Sequence, residues 1–186
     1  MRRIVLTFGL IGGGLLSAMM LLALPFQDRI GFDNAMIVGY TSMVLAFLMV
    51  WVGVRRYRDT VAGGTIGFGR ALAVGAGITL VTTACYVATW EVIYYGFMPD
   101  FGERYGEYLL EKERAAGAPP ERLEARAQEL ADFRDLYRNP LINIAFTFIE
   151  PLPVGLLFTL VAAGVHSRKR SRTGEAPSPG GAVPAG

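Results

Sequence analysis

The chain contains one cysteine and one histidine. A single cysteine excludes an intrachain disulfide scaffold, a C-x-x-C redox pair and a thiolate zinc site built by one chain. A single histidine leaves little material for metal ligation or for nucleophile–base chemistry. Charge is scarce as well. Only 18% of the residues are charged and the net charge is +2 over 186 residues, against roughly 25% charged in soluble globular domains. That argues against a basic nucleic-acid binder. With 52% hydrophobic residues and a mean hydropathy of +0.37, it also argues against a disordered chain. No H-e-x-x-h pattern is present, and the glycine-rich stretch 55–70 lacks the G-x-x-x-x-G-K-[ST] spacing of a nucleotide loop. No enzyme activity, cofactor, metal or nucleic-acid partner is expected.

What the chain does have is length in its apolar runs. Residues 4–24 and 35–54 carry no charge, 71–98 is broken only by Glu91, and 141–165 only by Glu150. An α-helix needs about 20 residues to cross ~30 Å of hydrocarbon. The expectation is an all-α membrane protein with four transmembrane helices. The first run follows Arg2 and Arg3 but is too long for a signal peptide and lacks an A-x-A site, so it reads as a retained anchor.

Basic residues set the orientation. Arg2 and Arg3 precede the first span, Arg55, Arg56, Arg58 and Arg70 separate the second from the third, and Arg168, Lys169, Arg170 and Arg172 follow the fourth. The positive-inside rule then places both termini in the cytoplasm. The arginines of 55–70 have two readings, as topology signals or as contacts to anionic lipid headgroups. Segment 99–140, with ten acids and seven bases, suits the outer side. Phe101, Tyr105, Tyr108 and Leu109 recur at helical spacing, Gly117 stops that helix, and Pro119-Pro120-Glu121 starts another. The reading is an amphipathic helical hairpin, either a packed cap or a docking surface. Asn139-Pro140 has the form of an N-cap followed by proline at the first helical position. Residues 1–166 thus form a four-helix transmembrane domain, and 167–186 a disordered basic tail.

Small residues stripe the first and third spans: Gly9, Gly13 and Ser17, then Ala71 and Gly75, and Ala73 and Gly77. Such grooves let backbones approach closely, within one chain by default. Cys85 reads as a small packing residue and His166 as a partner of the helix dipole.

Glu91 and Glu150 are the two carboxylates inside the spans, and a charge at a helix centre costs roughly 2.5–3.5 kcal/mol on insertion scales. Helical rise places both in the outer half at similar levels. Asn143, Thr147 and Glu150 share a face, and Pro151 and Pro153 free carbonyls one turn earlier. Two readings stay open. In one, Glu91 sits in an aromatic interface belt bonded to Tyr94 or Arg104, and Glu150 is a helix clamp bonded to Thr147 or Glu91. In the other, the pair handles an ion, a proton or a ligand.

Four stretches carry a resemblance: GFDNAMIVGYTSMVLAFL from Gly31, YRD…GGTIGFGRAL from Tyr57, CYVATWEVIYYGFMPDF from Cys85, and NPLINIAFTFIEPLPVG from Asn139. With these the chain resembles, over Ile4 to Val165, a bacterial membrane-protein family designated domain of unknown function 4199. The resemblance implies an integral inner-membrane protein of four helices and no assigned activity. The leading functional expectation is a non-enzymatic subunit or accessory of an envelope complex. The alternative is a small proton- or cation-linked transporter or lipid handler using Glu91 and Glu150. Membrane lipids, a second copy or an envelope protein are the expected partners.

Overall fold

In the computed structural model, which describes residues 1–167, every long apolar run is helical. Helix α1 spans Arg2–Ala23, α2 Gln27–Thr60, α3 Phe68–Gly96, α4 Phe101–Ala115, α5 Pro120–Tyr137, α6 Pro140–Ile149 and α7 Leu152–His166. No strand forms among the described residues. Four segments are long and apolar enough to cross a membrane: Arg2–Phe26, Arg29–Thr60, Phe68–Gly96 and Pro140–His166. The tail lies, from residue 168 onward, outside the described residues.

One detail differs from the sequence expectation. The connection between the first two spans is almost entirely helical: a 3₁₀ turn, Leu24–Phe26, leads straight into α2. A bend at Gly31 (φ 68°, ψ 163°) divides α2, and only glycine takes that conformation without strain. The fourth span is two helices. The prolines at 151 and 153 cannot donate to the carbonyls of Thr147 and Ile149, so α6 ends at Ile149 and α7 restarts at Leu152. Asn139 caps α6 by accepting from the Leu141 N–H at 3.0 Å, with Pro140 as the first helical residue.

Helix α3 is the axis of the bundle, packed by α1, α2, α6 and α7. Its neighbours come close because they present glycine. A Cβ added at Gly9 would lie 2.5 Å from Val81 Cβ, and one at Gly13 2.5 Å from Cys85 Cβ. Gly155 of α7 sits just as tightly against Thr79 and Phe47, and Gly75 against Thr159. The small-residue stripes therefore pack within the chain. Hydroxyls join the same seams: Thr79 Oγ1 lies 3.0 Å from Thr159 Oγ1, Thr82 donates to the Gly9 carbonyl at 3.2 Å, and Ser17 and Thr89 meet at 2.7 Å. Phe47, Val50, Val54 and Ile78 are sealed between α2 and its neighbours.

Helices α4 and α5 stand against one end of this bundle and lie alongside each other. Arg122 and Arg126 reach Glu113 at 3.6 and 3.3 Å, and Arg134 and Arg138 reach Glu103 at 3.6 and 3.3 Å. Gly117, at φ 80°, turns the chain between them.

Close approach at Gly13 predicts a contrast with its neighbour Gly14, where an added Cβ meets nothing within 4 Å. Gly13→Ala is expected to destabilise by about 1–3 kcal/mol through overpacking. Gly14→Ala is expected to be neutral or to gain up to about 1 kcal/mol of helix propensity. Thermal unfolding in detergent reads both, and equal shifts would contradict the packing account.

Candidate functional site

The end of the bundle that carries α4 and α5 is not filled. Helix α2 packs on α7, whereas α6 packs on α3 and α5. Above the Phe47–Val54 seam, α2 stands clear of the broken fourth span, and Met36, Val38 and Tyr40 remain exposed. The result is a cavity of about 550 Å³. Leu16 and Met20 of α1 and Met43 of α2 line its apolar floor, while Trp90, Phe101 and Tyr105 line its α4 side.

One carboxylate, that of Glu150, is among the residues lining the cavity. The break before Pro151 puts it there. The Glu150 N–H still closes the last turn of α6 onto the Phe146 carbonyl at 3.1 Å, but no helix continues over its side chain. Tyr86 of α3 donates its hydroxyl to Glu150 Oε2 at 2.8 Å. This bond replaces the expected ones: Thr147 donates instead to Asn143 Oδ1 at 3.2 Å. Glu91 is not among the lining residues, and its Oε1 is enclosed without a hydrogen-bond partner. The two carboxylates expected to work together therefore sit in different surroundings.

Asn143 and Thr147 belong to a second polar chain. Trp90 Nε1 donates to Tyr137 Oη at 3.1 Å, and Tyr137 Oη lies 3.2 Å from Thr147 Oγ1. That chain crosses from α3 through α5 to α6. Tyr94 borders it, its ring 5.5 Å from Tyr137 and 6.0 Å from Trp90. Burial pushes the Tyr137 phenol upward, so it stays protonated and can serve the chain as donor and acceptor. Asn143 and Thr83 are fully buried, and Asn143 Nδ2 and Thr83 Oγ1 have no protein partner.

At the opposite end, the four arginines divide. Arg55, Arg56 and Arg70 are exposed. Arg58 turns inward, pairing with Asp59 at 2.7 Å and donating to His166 Nδ1 at 3.2 Å. His166 is buried with its ring 4.4 Å from Trp51, so it packs the base of the bundle in addition to ending α7. Among the described residues no group of three or more His, Cys, Asp or Glu side chains is placed to hold a metal ion.

The family model described as protein of unknown function (DUF4199) matches residues 7–168. The chain belongs to that family. The match takes in the helical bundle except the start of α1 (residues 2–6), and every described residue that lines the cavity. No curated protein and no solved structure matches the chain. Family membership brings no activity with it, and the site has to be read from its own geometry.

Tyr86 is the residue that sequence reasoning missed. It stands one turn from Thr83 and Trp90 and two turns from Thr79 on the face of α3 that the bundle encloses, a pattern readable as a polar stripe in an apolar helix. Its bond to Glu150 predicts energetic coupling. Tyr86→Phe and Glu150→Met are each expected to cost about 1–3 kcal/mol, since each strips a polar group of its partner. The double variant should lose less than their sum, with a coupling of about 1 kcal/mol. Strict additivity of the three unfolding free energies would mean that the bond contributes nothing.

Proposed function

We propose that this chain is a non-enzymatic, multi-pass protein of a bacterial cytoplasmic membrane, and that it holds an amphiphilic membrane molecule in the cavity at its outer end. The observation that carries the reading is the cavity itself. It is about 550 Å³, within the range of ligand pockets, and largely apolar with few polar groups. An apolar floor with Glu150 and Tyr86 at one wall matches a molecule with a hydrocarbon part and a polar head. The orientation rests on the arginine distribution, with both termini inside and α4 and α5 as an outer hairpin. Between the two functional expectations the cavity favours lipid handling, with Glu150 rather than Glu91 as its polar anchor. The subunit reading keeps one support: no residue of α5 is fully buried, leaving its charged face open to an envelope partner.

Gly39 gives the test. It lines the cavity, and a Cβ added there meets nothing within 4 Å. Gly39→Phe should fill the cavity, leave the unfolding midpoint unchanged, and cut lipid retained through purification severalfold, as read by native mass spectrometry. Retention equal to wild type would sink the lipid-binding reading. For orientation, a cysteine at Gly117 in a Cys85→Ala background should react with an impermeant maleimide in intact cells. Labelling only after permeabilisation would reverse the topology.

A further inference from the structure

The polar groups of the cavity narrow the class of head it accepts. Resting on the amphiphile reading above, we infer that the cavity takes a phospholipid whose phosphate bears a primary ammonium head, with the ammonium at Glu150. Two observations converge. First, Glu150 brings acceptor capacity that the described residues do not use up. It accepts from the Tyr86 hydroxyl at Oε2, and no ion pair to it is formed among the described residues. A carboxylate in an apolar wall is stabilised by a cation that also donates hydrogen bonds, and a primary ammonium supplies both.

Second, the cavity that Glu150 lines has aromatic walls. Phe32, Trp90, Phe101 and Tyr105 form one cluster, with Trp90 5.1 Å from Phe101, and Phe32 5.4 Å from Tyr105. Tyr40 and Tyr137 line the same space. Ring faces attract an ammonium through their quadrupole and attract neither a phosphate nor a polyol. Of the described acids near the cavity, Asp33 is paired with Lys112 at 2.8 Å, and Glu91 is not among the lining residues.

The experiment compares phosphatidylethanolamine with phosphatidylglycerol carrying identical acyl chains, titrated against the purified full chain and followed by native mass spectrometry. Wild type should prefer the ethanolamine lipid by about tenfold, the scale of one charge-assisted hydrogen bond. Glu150→Gln should abolish that preference, weakening binding of the ethanolamine lipid about tenfold more than that of phosphatidylglycerol. Tyr105→Leu, at a ring that is partly exposed, should reduce the preference severalfold and serves as the second variant if Glu150→Gln does not fold. Equal binding of the two lipids by wild type, or a preference that survives both substitutions, overturns the headgroup inference while the cavity reading stands. Binding that is the same in wild type and Gly39→Phe overturns both.

Discussion

Hydrocarbon gives helices no hydrophobic reason to associate, because lipid tails are as apolar as leucine. What holds this bundle together is therefore the distance at which backbones can approach α3. Gly9 and Gly13 bring α1 onto Val81 and Cys85, and Gly155 and Gly75 bring α7 and α3 together around Thr79 and Thr159. At those distances dispersion contacts are dense, and threonine hydroxyls reach partners across the seam. Helix α2 joins through the Phe47–Val54 seam on the α7 side. Every other feature follows from α3 being approached closely at one end and less closely at the other.

The less closely packed end is a consequence of the break between α6 and α7. A continuous fourth helix would carry the tight α7 seam along the full length of α3. Two prolines stop it, and α6 packs instead on α3 and α5, while the first turns of α2 meet α4 through Phe32. The same break exposes Glu150, which Tyr86 then holds in place. Cavity and carboxylate thus share one cause. The cost of a carboxylate in an apolar setting is offset by a single hydrogen bond in the chain itself, and a cationic ligand would complete it.

Helices α4 and α5 close over this end through aromatic contact more than through charge. Phe32, just past the bend at Gly31, meets Phe101, Tyr105 and Tyr108 at ring distances of 6.1, 5.4 and 5.0 Å. Lys112 adds its bond to Asp33 across the same junction. The hydrogen bonds that Lys112 donates to Asp33 and Tyr108 hold its ammonium above the usual lysine range. Because both partners are exposed to water, that pair contributes to register more than to stability. The ion pairs between α4 and α5 themselves are of the same exposed kind and set how the two helices align.

The number of apolar helices, their approximate extents, the caps at Asn139 and Gly117 and the family were all legible in the linear order of residues. Each depends on local composition or on a signal a few residues long. The break at Pro151 was legible for the same reason: a missing N–H acts on its own turn. What the sequence could not decide was which side chains meet. Glu91 and Glu150 stood at similar helical heights, and height says nothing of rotation about the axis, which the glycine contacts of α3 determine. That rotation turned Tyr86 toward Glu150, left Glu91 off the cavity, and carried Arg58 inward to His166. The cavity is a property of tertiary structure alone, since its lining is drawn from α1 to α5 together with Glu150, and no single segment of chain encodes it.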